Sequence, residues 1–164
     1  MFALKSAPAA TPAERYSDLL QQATALIEGE RDLTANAANL SSLLFHTLPD
    51  LNWAGFYWMK GGELVLGPFQ GKPACVRIAI GKGVCGTAAR DRKTIVVKDV
   101  HEFPGHIACD SASNSEVVVP IVAGGKVVGV LDLDSPLVNR FDEADARALE
   151  AVVQAFLAGT DIEG

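Results

Sequence analysis

Apolar side chains recur at helical spacing at both ends of the chain and at strand spacing between them. From 12 to 28, Tyr16, Leu19, Leu20, Ala23, Leu26 and Ile27 fall on one side of a 3.6-residue repeat. Thr11 suits the N-cap of this helix, with Pro12 at its first position and Glu14 in its first turn. A second helix is expected from 33 to 47, striped by Leu33, Ala37, Leu40, Leu44 and Leu48, with Asp32 as cap and Pro49 as stop. The period then changes. Residues 51–60 are aromatic and apolar, Gly61-Gly62 makes a hairpin turn, and 63–69 returns as a strand. Residues 76–80 and 94–97 read as strands, with a short helix of small residues, 83–91, between them. Residues 117–122 and 126–133 form a second hairpin closed by Gly124-Gly125. A closing helix, 142–158, starts on Asp142 and Asp145 in a capping-box pattern and presents Ala148, Leu149, Val152, Val153 and Phe156. The pattern predicts an α+β domain, a mainly antiparallel central sheet with the N- and C-terminal helices packed on one face. Residues 1–11 form a flexible lead-in and 12–164 a single domain. Residues 98–114 carry His, Pro, Gly, Ser and Asn, and a loop of that length is usually functional.

Composition narrows the classes. The 164 residues suit one domain, and 49% hydrophobic with 21% charged residues is an ordinary globular balance. Lys plus Arg number 14 against 20 Asp plus Glu, a net charge of −6, and no segment concentrates the basic residues. Nucleic acid and anionic membrane surfaces are therefore not expected partners. The N-terminus lacks the apolar run of a signal peptide, and no run of about 18 apolar residues occurs anywhere. A cytoplasmic setting follows, in which thiols stay reduced.

Two patterns suggest a pocket. In Asp132-Leu133-Asp134 the strand period turns Leu133 into the core and both carboxylates outward together. Like charges this close repel, and a site that tolerates them often holds a cation or a shared proton. The same pair equally suits a solvated strand end leading to Pro136. Glu116, on the neighbouring strand of that hairpin, is a candidate third carboxylate. A metal would want more oxygen ligands than the sequence names, so an ammonium group is the simpler partner. On strand 51–60, Trp53, Gly55 and Tyr57 share one face and Ala54, Phe56 and Trp58 the other. One set covers the core; the other suits the wall of a pocket, with Gly55 leaving room between Trp53 and Tyr57.

The three cysteines, Cys75, Cys85 and Cys109, form no CxxC and are too few and odd for a secreted disulfide framework. His101, His106 and Cys109 lie close in sequence, but the paired short spacings of structural zinc are missing, so no metal is expected. Cys85, among the small residues of 83–89, reads as a buried inert thiol, and Cys75, after Pro73, as one a partner can reach. Cys109 lies in a polar loop with His106, Asp110, Ser111 and Ser113 beside it, surroundings that favour the reactive thiolate.

The run His106-Ile107-Ala108-Cys109-Asp110-Ser111-Ala112-Ser113-Asn114-Ser115-Glu116-Val117-Val118-Val119-Pro120 resembles the signature of the free methionine-(R)-sulfoxide reductases, which are single GAF domains. Leu51-Asn52-Trp53-Ala54-Gly55-Phe56-Tyr57, Gly67-Pro68-Phe69-Gln70-Gly71, Gly81-Lys82-Gly83-Val84-Cys85-Gly86 and Leu131-Asp132-Leu133-Asp134-Ser135 are similar to the same family, and the resemblance spans residues 14–158. It implies that Cys109 is the catalytic nucleophile, Cys75 the main resolving cysteine and Cys85 a secondary partner. It further implies a substrate pocket of Glu116, Asp132 and Asp134 with an aromatic wall of Trp53 and Tyr57. The substrate would be free methionine sulfoxide, a carboxyl group (Glu116 or one of the Asp pair) would protonate the departing oxygen, thioredoxin would be the reductant, and no cofactor would be needed. Dimers are common among such domains, which admits a homodimer. GAF domains also serve as non-enzymatic sensors of small molecules or redox state, and this is the alternative reading.

Overall fold

The computed structural model describes residues 2–4, 11–107 and 110–162. Cys109 and most of the lead-in expected over residues 1–11 lie outside them. Helix α1 (Pro12–Ile27) begins in a capping box: the Thr11 hydroxyl accepts from the Glu14 N–H at 3.2 Å, and the Glu14 carboxylate accepts from the Thr11 N–H at 3.3 Å. Helix α2 (Leu33–Thr47) is capped by Asp32, which accepts from the Ala35 N–H at 2.8 Å. The other helices are α3 (Gly83–Asp91) and α4 (Glu143–Ala158), the latter opened by the reciprocal Asp142–Asp145 box. The Tyr16 hydroxyl donates to that same Asp145, tying α1 to α4.

Six strands make one antiparallel sheet: β1 (Trp53–Lys60), β2 (Glu63–Gly71), β3 (Arg77–Ala79), β4 (Ile95–Val97), β5 (Ser115–Ala123) and β6 (Lys126–Ser135), in the order β3-β2-β1-β6-β5-β4. Both hairpins turn on a Gly-Gly pair with positive φ, 61° and 83° at Gly61 and Gly62, as the twist-matched two-residue turn requires. Strand alternation then sorts the side chains. Ala54, Phe56, Val117, Val119, Ile121, Leu131 and Leu133 face α1, α2 and α4 and meet Leu40, Leu44, Leu149 and Phe156 in the main core. Fully burying each of the larger side chains contributes about 1.5–3 kcal/mol. Trp53, Tyr57, Val118 and Val130 face the other way, into a second apolar cluster with Val84, Cys85 and Ala88 of α3.

The terminal helices thus share one face as expected, while α3 lies on the opposite one. Two details differ from expectation. A turn of 3₁₀-helix, Val100–Glu102, interrupts the loop anticipated over 98–114. Strands β5 and β6 also run two residues beyond the apolar pattern, through Ser115-Glu116 and Asp134-Ser135. Carboxylates are poor strand formers, so the apolar pattern stopped short of them.

Candidate active site

The register of β1, β6 and β5 assembles the site. Trp53 lies opposite Asp134 and Gly55 opposite Asp132. On the other side of β6, Asp134 lies opposite Glu116 and Asp132 opposite Val118. Three carboxylates therefore occupy two adjacent rungs of one face, beside Trp53. An irregularity between Ile121 and Val122 makes this possible. Next to the turn, Val122 pairs with Val127, but the following rung joins Ile121 to Gly129, leaving Val128 over as a bulge residue. Without that extra residue Glu116 would oppose Leu133, whose side chain points into the helix-covered core.

The carboxylates do not point into solvent. Helix α3, the segment at Lys72–Ala74 and the residues around His106 and Ser113 close over them, leaving a narrow cleft that all three acids line. Glu116 is 6% exposed and Asp132 5%. Burial is the leading reason that all three acids are pushed well above the usual carboxyl range; the charge of Asp134 adds to it at Glu116, that of Glu116 at Asp132, and that of Asp132 at Asp134. Each acid of the substrate-free cluster consequently holds its proton to a higher pH than an ordinary carboxyl does. The Oδ1 of Asp132 is buried and accepts no hydrogen bond, an acceptor left facing the cleft.

Trp53 and Tyr57 line the same cleft. Trp53 stacks on Tyr57 with centroids 5.9 Å apart and on Phe69 at 5.2 Å. The Trp53 indole donates to the Lys72 carbonyl at 3.2 Å, and the Tyr57 hydroxyl to the Cys75 carbonyl at 3.0 Å. Gly55 does not leave room for a ligand. A Cβ there would stand 2.3 Å from the Cβ of Phe69, which β2 places directly opposite, so the missing side chain admits Phe69 instead.

The two described cysteines differ. Cys75 precedes β3 by two residues, half-buried, and is disulfide-bonded. Cys85 is free and buried on α3, its thiol pushed well above the usual range by burial and then by the charge of Asp132. An inert thiol was expected there; its place on the wall of the carboxylate cleft was not. The sequence reading also missed Asn52. Its Nδ2 donates to Asp110 Oδ2 at 3.2 Å and to Ser113 Oγ at 3.0 Å, fastening the segment after Cys109 to the head of β1. The turn-forming run Asp110-Ser111-Ala112-Ser113-Asn114 was the available signal: Asp110 Oδ1 accepts from the Ala112 N–H at 2.9 Å. His106, weighed only as a zinc ligand and as a neighbour of Cys109, places Nε2 3.7 Å from Glu116 Oε1. Burial lowers its pKa, which favours the neutral ring. His101 instead pairs at the surface with Asp99.

The GAF-domain profile matches residues 34–156. A protein of Escherichia coli called free methionine-R-sulfoxide reductase is 52% identical over 151 residues, covering 90% of this chain and 92% of that one. The chain belongs to the free methionine-R-sulfoxide reductase family of GAF-domain proteins. It is also 60% identical over 136 residues to Protein YtsP of Bacillus subtilis, covering 82% of this chain and 83% of that protein. The X-ray structure of the free methionine-R-sulfoxide reductase from Neisseria meningitidis, solved in complex with its substrate, superposes with a TM-score of 0.93 at 42% identity and covers 97% of this chain and 95% of that one. Membership of the family places the chain among the oxidoreductases. No helix among the described residues is long and apolar enough to cross a membrane.

Proposed function

We propose that the protein reduces free L-methionine-(R)-S-oxide to L-methionine, using its own cysteines as the immediate electron source. The observation that carries this reading is the trio of buried Glu116, buried Asp132 and half-buried Asp134 set against Trp53 in one cleft. A free amino acid brings an ammonium that a peptide-bound residue lacks, and that group supplies the positive charge and donors these acids want. A peptide-bound sulfoxide would leave them unpaired, at about 1–3 kcal/mol for each buried polar group and more for a charged one. The face of Trp53 suits the S-methyl group and the positive charge that develops on sulfur.

In this mechanism the Cys109 thiolate attacks the sulfoxide sulfur. A carboxyl of the cluster, kept protonated by burial and by its neighbours, passes its proton to the oxygen. Methionine leaves and the oxygen stays on Cys109 as a sulfenic acid. The Cys75 thiol attacks that sulfur, expelling water and forming a disulfide. The two thiols supply the two electrons that reduce the sulfoxide, and a dithiol protein of the thioredoxin class in the cytoplasm restores them by exchange. The resolving role of Cys75 is supported by its being disulfide-bonded where Cys85 is free. Cys85, buried on the wall of the same cleft, serves as a secondary partner.

The test is methionine release, with dithiothreitol as reductant, from the free R-sulfoxide and from its N-acetyl derivative. Release from the free form alone, abolished by Cys109→Ser, is expected. Equal release from both forms, or release that survives the substitution, would refute the assignment. No release from either would return the domain to the sensor reading.

A further inference from the structure

The proposed relay runs through Cys109 and Cys75, and Cys85 is needed in it only as a reserve. Its surroundings point elsewhere. The Sγ of Cys85 and one carboxylate oxygen each of Glu116 and Asp132 lie within 4.8 Å of one another, all three residues buried. The Oδ1 of Asp132 has no hydrogen-bond partner although the residue is only 5% exposed. His106 Nε2 stands 3.7 Å from Glu116 Oε1. We propose that this end of the cleft is a binding site for a thiophilic divalent cation of the Zn²⁺ class, held by Cys85, Asp132, Glu116 and His106, and that the cation and the amino-acid substrate exclude one another.

The donor set selects the ion. Bonds of about 2.0–2.3 Å to sulfur, nitrogen and oxygen put the donors of a tetrahedral zinc site about 3.3–3.8 Å apart. The His106–Glu116 edge already has that length, and Cys85, Glu116 and Asp132 need to close among themselves by about 1 Å at most, with the His106 side chain turning in to complete the set. A thiol and an imidazole with two carboxylates suit zinc and its congeners, whereas Mg²⁺ and Ca²⁺ prefer six or more oxygens. On binding, the Cys85 thiol and any protonated carboxyl give their protons to solvent, and the cation holds the thiolate. Two positive charges would also offset the mutual repulsion of the acids more fully than one ammonium does. Exclusion of the substrate rests on the reductase reading; the binding itself does not.

The experiment uses the full chain carrying Cys75→Ser and Cys109→Ser, in which Cys85 is the sole thiol, titrated with Zn²⁺ by calorimetry and with Co²⁺ by absorption. One cation per chain is expected, with a thiolate-to-cobalt charge-transfer band and the strong visible bands of four-coordinate cobalt. Adding Cys85→Ala should abolish the charge-transfer band, and Asp132→Asn should weaken binding about tenfold or more, circular dichroism confirming the fold of each. Free methionine sulfoxide should displace the cation. In the wild-type enzyme Zn²⁺ should raise KM without lowering kcat, and chelation should reverse it. No binding, a cobalt spectrum without thiolate character, or equal binding after Cys85→Ala would overturn the proposal. Binding that persists in a protein releasing no methionine would fault the reductase reading instead.

Discussion

Glu116→Gln should make the substrate-free domain more stable, and increasingly so as the pH rises. Glu116 is nearly fully buried and paired across the ladder with Asp134, and burial followed by the Asp134 charge raises its pKa well above the usual value. A carboxyl with an elevated pKa in the folded state keeps a proton that the unfolded chain, with a pKa of about 4.3, has already released. The native state then binds more protons than the unfolded one, so stability falls with rising pH between the two pKa values, by about 1.4 kcal/mol per pH unit for each such group. Gln carries no titrating proton and removes one group from that slope. Between pH 5 and 7 the variant should therefore gain on wild type by up to about 2.7 kcal/mol. In a domain of this size that is a Tm difference growing by about 5–10 °C. Thermal melts of both proteins at pH 5, 6, 7 and 8, with the cysteines held reduced, measure it. A Tm difference that stays constant across the series, or a deficit in the variant that deepens with pH, would show that Glu116 is neither desolvated nor opposed as described. The same substitution should lower kcat/KM for the free sulfoxide by about 10²-fold or more where Glu116 is the carboxyl of the cluster that gives up the proton.

Asp134→Ala should raise KM for the free sulfoxide by about tenfold, because the ammonium loses a carboxylate partner and a charged hydrogen bond is worth more than a neutral one; steady-state kinetics with an unchanged KM would count against the ammonium role. Gly55→Ala should destabilise the domain by about 1–3 kcal/mol or more, since the new Cβ meets Phe69 at 2.3 Å. Urea unfolding reads the loss, and adding Phe69→Ala should recover part of it, whereas independent effects would simply add.

The helices were legible because their caps are local. Thr11 with Glu14 and Asp142 with Asp145 satisfy backbone donors three residues away, and such pairs can be read from adjacent letters. Both hairpins were legible from their Gly-Gly turns. The strand period placed Trp53 and Tyr57 on one face, and Asp132 and Asp134 on one face, before any tertiary contact was known. What the letters did not show is long-range. The bulge at Val128 decides which face Glu116 takes, and nothing in the Gly124-Gly125 turn announces it. Phe69 fills the space that Gly55 was expected to leave open because of a second register shift, between Gly55 and Tyr57. The outward acids are covered because α3 folds back over their face, and Asn52 matters only because Asp110 and Ser113 come to it from the far side of the chain.

The most direct test of the central claim is a single turnover without external reductant. Fully reduced protein mixed with excess free methionine-R-sulfoxide should release one methionine per chain, with peptide mapping by mass spectrometry finding Cys75 joined to Cys109 and Cys85 still a thiol. No burst of methionine, or a disulfide formed by Cys85 while Cys75 stays reduced, would contradict the account.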